Sequence, residues 1–467
     1  MSGKRKISYI ADIALLAVVA VVLAVTMAFS RSIELTLGLA YYVDAETGEV
    51  VNAKRTTAAS ADGAAELRVH FLDVGQGDCT VIELPDGKTM IIDGGENTKA
   101  VKTAILDYID VNLPDDFAYF DYAVLTHADS DHCGSLDDVL DVYPARTFYR
   151  PNVEATDSGY QDPGKSELTV GAKTKDTVAY KNCIDSGYRA NADFTPRGIV
   201  TDPSDETQTI YGGSGDDIYT FTFYSPLSDD YTDWNDYSPI MILNYRGFIF
   251  AMSGDAEKKN EEEFVRRTVD ARTDGVDDKY DLFTDEFTVN VVKAGHHGSR
   301  TSTSQAYIDT ITTEAGAAAA YYIISCGEDN KYGHPHPETL DRLGGMNVPE
   351  SNILRTDVSG DLPFSVKIDS DGVYRMFYGD TQTSATAGVL PSLPNGAQPE
   401  PEPTPEPTPG PDDGGQELVL VYREWNGIKL TWAFVAWSGY ACLVILVILH
   451  AAMTAVFGRR GGKGRRR

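Results

Sequence analysis

The sequence predicts a layered α/β domain, its sheets packed inside helices, flanked by two transmembrane helices. Two observations lead there. Between Leu67 and Tyr378 short apolar or alternating runs are followed by turns or helix-like stretches, and histidines and aspartates gather where the apolar runs end. Two long apolar blocks lie outside that region, one near each end.

The first block runs from Ile7 to Phe29, enough to cross roughly 30 Å of hydrocarbon as a helix. Asp12 is the charge inside it and lies near one end. Lys4, Arg5 and Lys6 precede it, and basic residues beside a spanning helix stay cytoplasmic. A cleaved signal peptide is the competing reading, although the block is longer than a usual signal core and Ala28-Phe29-Ser30-Arg31 is a poor cleavage site. The second block, Leu430 to Phe457, carries no formal charge and leads into a basic tail, 458–467. Two spans with positive ends inside place both termini in the cytoplasm and residues from about Ser32 to Lys429 outside. A cell-membrane protein with an extracytoplasmic domain is expected.

Within the domain, Leu67 to Asp73, Cys79 to Leu84 and Thr89 to Asp93 read as strands, joined by the turns Gly75-Gln76-Gly77-Asp78 and Pro85-Asp86-Gly87-Lys88. A helix-like run, Lys99 to Val111, leads to a strand, Phe120 to Thr126, and Ser135 to Val142 reads as a short helix. Residues 152–216 are polar, acidic and weakly periodic, an irregular insertion suited to a substrate lip. Strands resume at Ile218 to Tyr224, Ile240 to Tyr245 and Gly247 to Met252, with a helix over Glu257 to Arg267 and strands at Val289 to Lys293 and Ala320 to Ser325. The domain is taken to end at 380. From 381 to 429 the alternation of proline, glutamate and threonine around Pro399 to Pro409 predicts a stiff extended spacer.

The formal net charge is −30, and without the nine basic residues of the two tails the remainder carries about −39. Such a surface repels nucleic acid unless a local basic lining or a bound metal compensates. Cys79, Cys133, Cys183, Cys326 and Cys442 match no zinc-binding spacing, and no disulfide is assigned.

Six of the eight histidines fall in one cluster and two short pairs. His127, Asp129, Asp131 and His132 put four nitrogen or oxygen donors into six residues directly after an apolar strand, a density that metal binding requires and a solvated turn does not. Asp255 follows the strand ending at Met252, where helix capping is its structural alternative. His296 and His297 follow Val291 to Gly295. His334 and His336 flank Pro335, where a turn histidine beside proline is the structural alternative to a role in the site.

Taken together, the motifs Leu72-Asp73-Val74-Gly75-Gln76-Gly77-Asp78, Ile92-Asp93-Gly94-Gly95, His127 to His132, Asn235-Asp236-Tyr237-Ser238, Ser253-Gly254-Asp255-Ala256-Glu257, Gly295-His296-His297-Gly298-Ser299 and Tyr332-Gly333-His334-Pro335-His336-Pro337 are distinctive in kind and order. Over roughly Leu67 to Tyr378 the chain resembles the metallo-β-lactamase fold, and within it the hydrolase domain of ComEC/Rec2-type competence proteins. The resemblance implies an αββα sandwich with two divalent ions, Zn²⁺ or Mn²⁺, at one edge. It implies one site from Asp131, His132, Asp255 and His296 and a second from His127, Asp129 and Asp255. Two departures matter: Asp129 replaces a superfamily histidine, as in the competence-type branch, and no histidine occurs between Cys133 and Gly295.

The expected activity is hydrolysis by a metal-activated water, with Asp131, His297 and His334 as catalytic residues and Asp78, Asp93 and Ser238 orienting the ligands from behind. Phosphodiester cleavage, with DNA as a candidate substrate, is the leading expectation. A small or envelope-linked phosphoester and a non-catalytic binding module are the alternatives. β-Lactam or thioester hydrolysis is disfavoured by the nitrogen-poor ligand set, and two spans cannot form a polytopic channel.

Overall fold

Alternation sets the first sheet. In Leu67–Phe71 (β1) the residues Leu67, Val69 and Phe71 are buried while Arg68 and His70 are only partly covered, the period of two expected of a strand with unlike faces. Thr80–Glu83 (β2) and Thr89–Ile92 (β3) are buried throughout, and both belong to the interior of the sheet. The computed structural model describes residues 65–388 except 115–116, 169–171, 189–208, 214–216, 229, 275–278 and 370, together with residue 390 and the backbone of four short strands elsewhere.

The further strands are Phe120–Val124 (β4), Ala145–Tyr149 (β5), Val153–Ala155 (β6), Lys173–Lys175 (β7), Thr209–Gly212 (β8), Tyr219–Phe223 (β9), Met241–Tyr245 (β10), Phe248–Met252 (β11), Val291–Lys293 (β12), Tyr321–Ile324 (β13), Ile353–Arg355 (β14), Leu362–Ile368 (β15), Tyr374–Tyr378 (β16) and Thr381–Gln382 (β17). They build an eight-stranded sheet in the order β17-β16-β15-β1-β2-β3-β4-β5 and a seven-stranded sheet in the order β14-β13-β12-β11-β10-β9-β8. Each sheet changes from antiparallel to parallel pairing partway across, with β3, β4 and β5 parallel in one and β11 to β14 parallel in the other.

The sheets pack face to face. Val69, Phe71, Ile82, Met90, Ile92 and Val124 of the first meet Phe221, Met241, Leu243, Phe250, Met252 and Val291 of the second in one apolar core. On the first sheet's outer face His70 meets Tyr108 of the helix Lys99–Asn112 (α1), with ring centroids 5.5 Å apart. On the second sheet's outer face Phe264 of Lys258–Asp274 (α2) and Tyr307 and Ile308 of Gln305–Ile311 (α3) pack with Ile242, Ile249 and Val292. This is the αββα arrangement. Parallel strands carry their connecting segments at the same ends, so the loops after β3, β4, β11, β12 and β13 bring the motif residues together at one edge.

Residues 152–216 depart from the irregular insertion expected. A helix, Val178–Tyr188, buries Tyr180, Cys183 and Ile184, and β6 and β7 pair in parallel. Weak periodicity hid these elements because a charged pair organises the segment. Arg150, fully buried, donates to both carboxylate oxygens of Asp162 at 2.7 and 2.8 Å and to the carbonyl of Val153 at 2.5 Å. Asp162 in turn accepts from the backbone N–H groups of Ala155 and Gly164, both at 2.8 Å.

The packed chain also continues past 380. β17 pairs with β16, Asn290 donates to the Thr386 carbonyl at 3.0 Å, and the Gly388 N–H donates to Gly247 at 2.7 Å. A separate, smaller compact unit contains an antiparallel pair, Ala40–Asp44 with Leu418–Tyr422, and the hairpin Glu424–Trp425 with Ile428–Lys429. The expected 381–429 spacer thus includes strands at both ends. Among the described residues no helix is long and apolar enough to cross a membrane. The expected spans Ile7 to Phe29 and Leu430 to Phe457 lie outside the described residues.

Replacing Asp162 by Ala leaves the buried Arg150 guanidinium without its counter-ion. The expected cost is about 3–5 kcal/mol in denaturant unfolding of the full chain, and a loss below about 1 kcal/mol, the range of exposed pairs, would contradict this account.

Candidate metal centre

The site begins with Asp93, which ends β3 in a left-handed conformation at φ 60°. Its carboxylate accepts from the Thr126 backbone N–H at 2.8 Å, the Thr126 hydroxyl at 2.7 Å and His132 Nδ1 at 2.8 Å. Because the Thr126 hydroxyl spends its proton on Asp93, it is left to accept from His127 Nδ1 at 3.2 Å. His297 Nδ1 donates to the Ser325 carbonyl and His296 Nδ1 to Glu257, both at 2.9 Å. In all four histidines Nδ1 is the donor, which leaves Nε2 with a lone pair.

Those lone pairs converge on Asp255. His132 Nε2 is 3.1 Å from Oδ1, and His297, His296 and His127 Nε2 are 3.4, 3.8 and 3.9 Å from Oδ2. His297 Nε2 is also 3.4 Å from Asp131 Oδ2. Nitrogen lone pairs facing a carboxylate in a buried site repel one another unless a cation lies among them. Nε2 of His127, His132 and His297 and Oδ1 of Asp255 are buried without a hydrogen-bond partner. Two overlapping groups, His127-Asp131-His132 and one containing His132, Asp255 and His297, bring their donor atoms within 4.8 Å. These residues fit a dinuclear metal site.

The electrostatics agree. Burial alone would lower His132 and His297, yet Asp255, with Asp93 and Asp78, outweighs it and holds both well above the ordinary histidine value. Burial would raise Asp255, but the histidines hold it well below the usual carboxylate range. The pocket is short of positive charge.

The structure redistributes several expected roles. His297, expected to act on the leaving group, is buried beside Asp131 and His132, in the position expected for His296. His296 sits at the rim, its side chain 23% exposed, with Nε2 3.8 Å from Asp255 Oδ2. The reason is local: His296 and His297 both take left-handed conformations, φ 48° and 55°, so the turn points them to different sides. Backbone in that region costs on the order of 1–3 kcal/mol per residue and persists where the surroundings enforce it. Here Glu261, buried beneath the loop, accepts from the Thr303 and Ser304 N–H groups at 2.5 and 2.8 Å, and Thr303 accepts from the Gly295 N–H at 2.8 Å.

Asp129 does not join the close groups; its Oδ2 is 3.9 Å from His127 Nε2, and its other oxygen is held by Lys175. Asp131 is near His297 rather than free as a base. Asp78 lies on the Nδ1 side of His132 and His297, at 3.9 and 3.3 Å, and pairs with Lys293, which is buried and so cannot line a binding surface. Although Asp78 is close enough to count as a donor, this position behind the rings makes it an orienting group. Ser238 Oγ accepts from the Asp255 N–H at 3.1 Å. Gly254, at φ 50°, lets the chain pass Thr126, whose Cβ would lie 2.8 Å from any Cβ added there.

His334 stacks on Tyr332 with centroids 5.7 Å apart and lies 5.2 Å from His296 across the mouth. Its Nδ1 accepts from the Gln76 amide at 3.5 Å, leaving Nε2–H as the donor. His336 Nδ1 accepts from the Arg300 N–H at 3.1 Å, a turn role. Glu257, Lys175 and Lys293 complete the surroundings without having been assigned from sequence. Glu257 could have been noticed two residues after Asp255; Lys175 has no motif to mark it. All four cysteines of the domain are buried free thiols that burial raises above the ordinary value, and Cys326 is pushed up to about 12.

A model of the metallo-β-lactamase superfamily matches residues 72–216, and the two-sheet sandwich with its Asp/His cluster shows the metallo-β-lactamase fold. The chain is 24% identical over 316 residues to ComE operon protein 3 of Bacillus subtilis, covering 65% of this chain and 34% of that protein. It is 26% identical over 293 residues to Recombination protein 2 of Haemophilus influenzae, covering 63% and 28%. Over these residues the chain is similar to competence proteins of the ComEC/Rec2 type. The chain spans about a third or less of the length of these relatives. Among solved structures it is similar to CmlA, a diiron β-hydroxylase from Streptomyces venezuelae, at 12% identity and TM-score 0.32, covering 62% of this chain and 52% of that one. Zn²⁺-bound PqqB from Methylobacterium extorquens is similar at 9% identity and TM-score 0.30, covering 60% and 96%.

Two outcomes are expected. Metal analysis of the full chain after dialysis gives about two divalent ions per chain, as a two-metal site requires, and Asp255→Ala loses most of both because it removes the carboxylate all four histidines face. Burial pushes Glu261 up to about 7 from 4.5. A carboxyl whose folded value is raised stabilises fully below the unfolded value, and this is lost as pH rises through about 7. Glu261→Gln keeps only one of the two acceptors and so carries a fixed cost at every pH, and its stability relative to the wild type is expected to improve from pH 4 to pH 8 by on the order of 3 kcal/mol; a difference from the wild type that is the same at both pH values would refute the assignment.

Proposed function

We propose that the domain is a phosphodiester hydrolase acting on the outer side of a membrane. The observation that carries this reading is the convergence of four histidine Nε2 lone pairs with the Asp255 and Asp131 carboxylates beneath an accessible rim. Bound divalent ions would supply Lewis acidity and a water of lowered pKa. His127, His132, His296, His297, Asp131 and Asp255 would hold them. Four imidazole nitrogens and two carboxylates, a set richer in nitrogen than the sequence suggested, suit Zn²⁺ as readily as Mn²⁺, and either ion can polarise a phosphoryl oxygen.

The chain's own groups do the rest. No cysteine serves as nucleophile, because the buried thiols are held protonated. His334 is lowered to about 4 by burial and by the rings of His296 and His297, so it is neutral near pH 7. A neutral ring whose Nδ1 is engaged by Gln76 presents Nε2–H to a phosphoryl or leaving-group oxygen. It acts as a hydrogen-bond donor more readily than as a full acid. The outward location rests on the apolar segments Ile7 to Phe29 and Leu430 to Phe457 with their basic flanks.

Full chain supplied with Mn²⁺ or Zn²⁺ is expected to cleave both single-stranded DNA and bis(p-nitrophenyl) phosphate, with Asp255→Ala inactive. His334→Ala is expected to lose about a hundredfold in kcat, and His334→Gln, which keeps a donor, loses less. Inert DNA beside a cleaved dye would favour a small or envelope-linked phosphoester, the second reading that the acidic surface supports. Absence of both metal and activity would favour a binding module.

A further inference from the structure

Lys175 reaches the cluster from a part of the chain that carries none of the motifs. It ends β7, which pairs residue for residue with β6, Ala155 opposite Lys175. β6 is fixed from beneath by the buried Arg150-Asp162 pair, through Val153 and Ala155. At the end of this chain of contacts the Lys175 ammonium lies on Asp129 Oδ1 and 5.0 Å from the centroid of Trp234, with its side chain 15% exposed. Of the other cations near the site, Lys293 is buried on Asp78, Arg300 pairs with Glu338, and Lys331 lies beside Tyr332 on the His334 side, away from Asp129.

Asp129 is therefore shared. One oxygen is held by a lysine and the other faces His127 Nε2 at 3.9 Å. A carboxylate already paired with an ammonium is a poorer metal donor, because part of its field is neutralised. Opposite charges make the lysine a ready partner for an incoming phosphate as well. We propose that Lys175 holds Asp129 in reserve and exchanges it for the non-bridging oxygens of the substrate phosphate, so that phosphate binding releases Asp129 to the metal on the His127 side. No covalent bond changes in this exchange: an ammonium passes from a carboxylate to a phosphate anion. Metal binding and substrate binding are then coupled through one side chain.

The substrate half of this inference rests on the phosphodiester reading; the metal half does not. The test uses full-length Lys175→Met and Lys175→Arg. Mn²⁺ affinity is followed by the electron paramagnetic resonance of free Mn²⁺ without substrate, and KM and kcat on bis(p-nitrophenyl) phosphate. Lys175→Met is expected to bind Mn²⁺ several-fold more tightly and to raise KM about tenfold, the effect of losing a charged hydrogen bond, with kcat changed much less. The tightening disappears when Asp129→Asn is added, and Lys175→Arg restores KM. A merely structural lysine would weaken both metal and substrate binding on removal, and that result, or Mn²⁺ binding that does not change, overturns the proposal. An unchanged KM in a chain that cleaves the diester overturns its substrate half. If the wild type cleaves no phosphodiester the functional reading fails separately, and the Mn²⁺ titration still decides whether Lys175 restrains Asp129.

Discussion

The conflict at Asp255 organises the rest of the site. A buried carboxylate faced by four nitrogen lone pairs has no favourable state of its own; it needs a shared cation or protons in its place. Every neighbouring group is arranged to keep that conflict in place. Asp93, Thr126, Ser325 and Glu257 each fix the Nδ1 side of a histidine, which denies the rings the tautomer that would relieve it. The two sheets supply these groups from different directions, so the sandwich has to be assembled before the site exists. Metal binding then adds to the stability of the fold.

Much of this was legible in the sequence because reactive residues directly after apolar runs occupy strand ends. The strands around His127, Asp255 and His297 follow from alternation or short apolar runs, and the ligand types follow from the motifs. What did not follow was which histidine of the pair points inward. That choice depends on two consecutive left-handed residues held by Glu261 and Thr303, contacts made across 42 and 8 residues that no local pattern encodes. Lys175 escaped for a similar reason: its place is set by strand pairing and by the buried Arg150-Asp162 pair.

That pair also explains why 152–216 reads as irregular. A segment organised around a guanidinium and a carboxylate needs only a short apolar stripe, here Tyr180, Cys183 and Ile184, and its many polar residues then look like solvated ones. Removing both charges would leave few apolar contacts to hold β6 and β7 in register, so the pair acts here as a device for specificity as well as for stability.

The acidic surface gives the insertion its functional meaning. An anionic substrate approaching a chain that carries about −39 formal charge outside its two basic tails is repelled until it is within a Debye length of a local cation. Two loaded divalent ions would supply that attraction at the floor of the pocket but nothing at its rim. Lys175 and the exposed Lys331, which lies 4.8 Å from the centroid of Tyr332, occupy the rim on its Asp129 and His334 sides. Lys175 on Asp129 keeps the pocket from accumulating further negative charge, and under the exchange proposed above the arrival of a phosphate would be the event that changes the balance. An acidic hydrolase can in this way confine its affinity for anions to the point of cleavage, where a basic groove would bind them along its whole length.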